Sequence, residues 1–264
     1  MSFVRIKVKP DTLDDENRKF AQQPLKQPLF LNSVPKSGSH LLRNIIRMFV
    51  PVDSQYQAEF IQHHFLQQHL AAFDPARNML SWGHLYFLDA AKEALAGVRH
   101  IVLVRDPYQW VLAQARFVLS NEFNAPGLEH LKRPDVPVTS LLNLMIEGTK
   151  PQLAPLAVTY HFNAVAWLGE GVHLVRYEEL VRALRDLESA DAERYFSSLL
   201  EACGIAPPDD WRERVKIGSD RKQSGTAREN LTGIAARIPT ELPEAQKRLV
   251  NLAYPGLRAT LGYE

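Results

Sequence analysis

A single cysteine, Cys203, among 264 residues excludes an intramolecular disulfide framework. It stands in "LLEACGI", an apolar helical pattern, where a buried small hydrophobe in a reducing compartment is the expected role. Neither sign of charge is in excess. Thirty-one basic and thirty acidic residues leave a net +1, so the chain has no electrostatic footprint for nucleic acid, and any anion site must be local. No run approaches the ~18 apolar residues of a membrane span. The first twenty residues mix charges throughout and lack the apolar centre of a signal peptide. These absences lead to the expectation of a soluble, cytoplasmic protein. No internal repeat, low-complexity tract or Gly/Ser linker divides the chain. At 45% hydrophobic and 23% charged content the length is ample for a sizeable core, and one domain over 1–264 is expected.

What is present is a repeated change of period. "LFLNSV" (29–34) leads into a helical pattern over 39–50, and "NMLSWGH" (78–84) into one over 87–95. "RHIVLVRD" (99–106) is β-branched and continuous, as a strand buried on both faces should be. "VHLVRYEEL" (172–180) shows the same passage from strand to helix. Strands alternating with helices predict an α/β fold with a central parallel sheet flanked by helices. Such sheets bind ligands outside the carboxyl ends of their strands. That rule singles out Lys36, His84, Arg105 and Tyr177. The stretch 120–155 differs: it is rich in Pro, Asn and charge, then offers one amphipathic pattern, "VTSLLNLMIEG". It reads as an excursion over the sheet, a lid or acceptor-binding segment.

The segment "PKSGSH" lies where the first strand turns into its helix. Such a turn aims backbone N–H groups at one spot, and the positive end of the helix dipole adds to them. Gly38 lets the backbone approach an anion, Ser37, Ser39 and His40 offer donors, and Lys36 adds a point charge. The pattern is P-loop-like but departs from G-x-x-x-x-G-K-[ST], because one glycine is present and the lysine precedes it.

Taken together, "PKSGSHLL", "IVLVRDPYQWVLAQARF" and "RKQSGTARENLTG" resemble the sulfotransferases that use 3′-phosphoadenosine 5′-phosphosulfate. "LVRYEEL" and the terminal "LPEAQKRLVNLAYPGLRATLGYE" are also similar to that family, so the resemblance runs from about Leu29 to the carboxyl terminus. It implies a P-loop NTPase-like α/β fold, a sulfuryl donor as cosubstrate, no metal and a small-molecule acceptor. Two anion sites are implied: Lys36, Ser37, Gly38, Ser39 and His40 on the 5′-phosphosulfate end, and Arg105 with Arg221 and Lys222 on the 3′-phosphate. Tyr177 at its strand end and Gln223 in the late motif join the nucleotide-binding set. No phosphoryl group moves, so the protein supplies the charge that Mg²⁺ supplies in a kinase.

Sulfuryl transfer to a hydroxyl or amine needs a base, and "SWGHLYF" places His84 where cytosolic relatives carry theirs. Near the ordinary imidazole pKa of ~6.5 it would be neutral above mildly acidic pH. Glu59 in "YQAEF" is the rival, since relatives acting on sugar chains use a glutamate. His63, His64 and His69 in "IQHHFLQQH" have no i, i+4 pair and no accompanying acidic or thiol ligand set, which argues against a metal. His161 reads as a packing residue on a helix, as do Trp110 and Phe117. The chain departs from the family at Leu41 for an aromatic residue, at Ala113 for a serine, and at Gln223 for a glycine. Two other classes fit the same motifs: a P-loop small-molecule kinase, and a non-catalytic nucleotide-binding protein of this fold. The motifs specify neither the acceptor nor the oligomeric state.

Overall fold

The computed structural model describes residues 5–6, 10–57, 60–120, 123–124, 127–149, 152–224 and 236–264. Among them are seven strands: β1 Arg5–Ile6, β2 Leu29–Ser33, β3 Ile61–Gln62, β4 Leu80–His84, β5 Arg99–Val104, β6 Phe123–Asn124 and β7 His173–Arg176. The chain forms two compact units. The sheet unit comprises Pro10–Val104 and Phe162–Gly225; the helical unit comprises Met1–Lys9, Arg105–His161 and Thr226–Glu264.

In the sheet unit five strands pair in parallel in the order β3-β4-β2-β5-β7. Leu31 of β2 lies opposite Trp82 of β4 and Ile101 of β5. All five residues of β2, its polar end Asn32–Ser33 included, and the last four of the apolar β5 are buried, as strands covered on both faces must be. The chain leaves β2 toward β4 and leaves β5 toward β7, so the direction of winding reverses between β2 and β5. The carboxyl ends at such a reversal are where α/β sheets bind ligands.

The helix Ser39–Arg47 packs on Trp211–Ser219, and Leu42, Ile45 and Ile46 join Phe196, Leu199, Trp211 and Val215 in one core. Gly218 makes that approach possible. A Cβ there would stand 2.7 Å from the Asn44 carbonyl oxygen and 2.7 Å from Ile45 Cα. Cys203 belongs to the same core and is fully buried; desolvation pushes its thiol up to about 12. It is the inert small hydrophobe its sequence context predicted.

In the helical unit Val138–Glu147 packs against both Pro107–Leu119 and Glu244–Ala253. Leu141, Leu142, Met145 and Ile146 form its buried stripe, as the amphipathic pattern after 137 predicted. Trp110 is buried edge-on to Tyr160 at 5.6 Å, and Phe117 packs on Phe123 at 4.9 Å, so both serve packing. β1 and β6 form a separate antiparallel ribbon. His161 departs from expectation: it is exposed, with Nδ1 3.1 Å from the Tyr254 hydroxyl.

Candidate active site

The turn after β2 combines two left-handed residues, Lys36 at φ 66° and Gly38 at φ 97°. Gly38 is the N-cap of the helix Ser39–Arg47 and has no side chain to close it. The N–H groups of Ser39 and His40, first in that helix, have no intrahelical acceptor. No acidic side chain lies in the first turn, so the positive end of the dipole is left open. Tyr177, the first residue after β7, lays its ring over Gly38; a Cβ at 38 would stand 2.5 Å from Tyr177 Cδ2. The Ser37 hydroxyl is buried with no partner among the described residues. An orphan hydroxyl beside unsatisfied amides fits a ligand that brings oxygen acceptors.

His84 ends β4, and its position is fixed by β2. Its Nδ1 lies 2.8 Å from the Ser33 carbonyl oxygen and 3.1 Å from Ser33 Oγ. A carbonyl only accepts, so Nδ1 carries the proton and Nε2 keeps its lone pair. Ser33 Oγ is in turn 2.7 Å from Ser39 Oγ, which links the histidine to the first residue of the open helix. The segment after His84 is held by buried bonds. Asn32 Oδ1 accepts from Leu85 N at 2.9 Å, while the Leu85 carbonyl accepts from Asn32, Asn163 and Trp167 at 3.1, 3.3 and 3.1 Å. Gly83 admits the neighbouring edge: a Cβ there would collide with the Ile61 carbonyl of β3.

Electrostatics keep both histidines of the region uncharged. Burial lowers His84 to about 4; the Lys36 charge adds to this, and the Ser33 carbonyl opposes it. Burial, with Arg43, Lys36 and His84 nearby, lowers His40 to about 3. The imidazole of His40 packs at 5.3 Å from Phe60, whose ring stacks on His84 at 4.9 Å. A neutral His40 offers an anion no charge, only its backbone N–H and one ring N–H.

The other predicted residues are distributed as follows. Arg221 and Lys222 are exposed in a short 3₁₀ turn, Arg221–Gln223, capped by Asp220. Gln223 is half-buried: its Oε1 accepts from Thr12 N at 2.9 Å, its Nε2 donates to Thr12 Oγ1 at 2.9 Å, and its carbonyl accepts from Asn44 Nδ2 at 3.0 Å. The continuation of that motif, 225–233, and the rival base Glu59 lie outside the described residues. Arg105 opens the helical unit, and its carbonyl accepts from the Tyr160 hydroxyl at 2.7 Å. Its "RDP" context forms a filled cap: Asp106 Oδ1 accepts from Tyr108 N at 2.8 Å, and Pro107 begins the helix. His63 stacks on Tyr86 at 4.2 Å and His69 Nδ1 lies 3.0 Å from the Tyr56 hydroxyl. No group of three potential ligands converges on a metal position among the described residues. Nor, among these, is any helix long and apolar enough to cross a membrane.

Asn32, Ser33, Arg43 and Phe60 do not stand out as site residues in the sequence. Two of them carried a signal: a buried strand ending in consecutive polar residues, "LFLNS", has to find partners for them.

No family model matches the chain, and no curated protein matches it in sequence. Among solved structures it is similar to mouse sulfotransferase SULT7A1 complexed with PAP, at 16% identity. The match covers 95% of this chain and 93% of that one, with a TM-score of 0.61. The chain therefore has a sulfotransferase-like fold.

Proposed function

We propose that the protein transfers a sulfuryl group from 3′-phosphoadenosine 5′-phosphosulfate to a hydroxyl or amine of a small-molecule acceptor, with His84 as general base. The observation that carries this reading is the link His84–Ser33–Ser39, which joins a neutral imidazole to an uncapped helix N-terminus. A likeness in fold to a sulfotransferase complexed with PAP, and the three motifs in family order, support it.

When bound, the donor supplies an electrophilic sulfur and a phosphate leaving group. Lys36 and the amides of Ser39 and His40 stabilise negative charge growing on that phosphate. Ser33 holds the Nδ1 proton of His84, so Nε2 is the atom that takes the acceptor's proton. Arg105, Arg221 and Lys222 are the proposed ligands of the 3′-phosphate, where a guanidinium fork suits phosphate oxygens.

Calorimetry with 3′,5′-ADP, followed by turnover of His84→Asn, tests the reading. Asparagine keeps a hydrogen bond and removes basicity, so 3′,5′-ADP should bind normally while turnover falls about 10²–10⁴-fold. Lys36→Ala and Arg105→Ala should each weaken 3′,5′-ADP by the roughly 1.5–3 kcal/mol of a charge-assisted contact. Wild-type affinity in both variants, or a metal-dependent response to ATP with none to 3′,5′-ADP, would overturn it. The acid limb of kcat/KM should have its midpoint below the ordinary 6.5, toward about 4. Protonation below the pKa removes the lone pair, so activity is lost as pH falls through it.

A further inference from the structure

Arg43 stands four residues after Ser39 and three after His40 on the same helix, so the three share one side of it. Its guanidinium carbon lies 3.9 Å from the centre of the Trp82 indole. Trp82 and His84 are two residues apart on β4 and therefore face the same side of the sheet. Phe60 covers both, at 6.3 Å from Trp82 and stacked at 4.9 Å on His84. A continuous row results, with the cation at one end, two aromatic rings between, and the proposed base at the other end. His40 lies alongside, within electrostatic reach of Arg43, Lys36 and His84.

Among the described residues this cation has no counter-ion. Among the described residues Arg43 makes no hydrogen bond and no ion pair, and its Nε is buried without a partner. The carboxylates in its neighbourhood, Asp11 and Asp14, are bonded instead to Arg47, at 3.0 and 2.6 Å. Desolvation and the like charge of Arg47 hold Arg43 down to about 10. His40 and His84 stay neutral beside it and offer no compensating charge. A guanidinium stacked on one face keeps its donor edge for a planar acceptor, and a buried charge without a partner is costly until an anion arrives. Arg43, Phe60, His40 and His84 all keep part of their surface open.

The geometry points to Arg43 as the determinant of acceptor class: the acceptor carries a carboxylate or similar anionic group held by Arg43, with its hydroxyl or amine at His84 and an aromatic or apolar body along Phe60. This deepens the sulfotransferase reading and rests on it.

The test is equilibrium binding to protein saturated with 3′,5′-ADP. The probes are 4-hydroxybenzoate, 4-hydroxyphenylacetate and 3-(4-hydroxyphenyl)propionate, each against its methyl ester, so that the spacing between anion and hydroxyl is varied. At least one acid should bind about tenfold or more tightly than its ester, as one charge-assisted contact requires. Arg43→Met should bring that ratio to within about twofold while leaving 3′,5′-ADP affinity unchanged, and Arg43→Lys should retain part of the preference. No preference for any acid in the wild type, or a preference that survives Arg43→Met, overturns the assignment. So does a loss of 3′,5′-ADP affinity in Arg43→Met, which would make the residue a donor ligand. If wild-type protein fails to bind 3′,5′-ADP, the sulfotransferase reading falls, and the acid–ester comparison on free protein then decides the role of Arg43 alone.

Discussion

Two strands of one sheet run into helices, and the two junctions are built in opposite ways. After β5, Asp106 closes the helix: one carboxylate oxygen accepts from Tyr108 N, the other binds Arg258 at 2.9 Å, and Pro107 has no N–H to satisfy. After β2, Gly38 stands at the same position with no side chain, and no acid follows in the first turn. The first junction therefore neutralises its own dipole. The second withholds neutralisation and offers its backbone. The open start after β2 has the backbone N–H groups and the dipole that suit an anion from outside.

Reversing the two designs sharpens this contrast. The largest effect is expected from Ser39→Asp, which gives the open helix a carboxylate of its own. It should weaken 3′,5′-ADP on the order of 100-fold, by replacing a neutral donor with a like charge. The same substitution should stabilise the fold by about 0.3–1 kcal/mol, as an acid in a first turn does. Calorimetry and urea unfolding on one protein sample would record the two opposite signs. Unchanged 3′,5′-ADP affinity would mean that the open terminus is not the anion site.

Alanine at each N-cap comes next. Gly38→Ala forces a Cβ into φ 97° and against the Tyr177 ring, for a loss of roughly 2–3 kcal/mol with impaired 3′,5′-ADP binding. Asp106→Ala removes a cap and should cost about 1–2 kcal/mol of stability. If Asp106→Ala proved the more damaging to 3′,5′-ADP binding, the roles of the two junctions would have to be exchanged.

The smallest effect at neutral pH concerns acid. His40, His84 and His100, all in the sheet unit, are lowered by burial to about 3, 4 and 3. Unfolded imidazoles take up protons below about 6.5, whereas these do not until about 4 or lower. The unfolded state therefore binds more protons in that window, and stability present above 6.5 is lost as pH falls toward 4. His100→Phe should lower proton uptake on unfolding at pH 5 by about one and leave uptake at pH 7.5 unchanged. Urea titrations at several pH values would read it, and an unaltered acid slope would refute the assignment to His100.

The sequence made the central strands legible because each is long enough to show its period. β2, β4, β5 and β7 all fall within the runs read as strands; the helix after β2 begins at Ser39 as expected, and the one after β4 at Asp89, two residues later than expected. Lys36, His84, Arg105 and Tyr177 are singled out by the rule that such sheets bind ligands beyond their strand ends, and each stands at or just after one. The two-residue strands β1, β3 and β6 were not legible, since two residues carry no periodicity and exist only through their partners. Nor was the support of His84. The polar pair Asn32 and Ser33 at the end of a buried strand signals that partners are needed, but not which ones, because their bonds reach residues more than fifty positions away. Arg43 looked like any basic residue on a helix, because nothing local announces that it will lie on Trp82 without a carboxylate.

Gly218 carries a warning for anyone who wishes to make this protein more heat-resistant. Exchanging a helical glycine for alanine is a standard first move, because helix propensity promises up to about 1 kcal/mol in a helix interior. In the helix Trp211–Ser219 the added methyl would press into main-chain atoms of Asn44 and Ile45, on the helix that carries Ser39 and His40 at its head. Main-chain atoms cannot swing aside as a side-chain tip can, so that whole helix would have to retreat. A stabilisation library should leave this position as it is, since a gain on paper would be met as a displaced turn after β2.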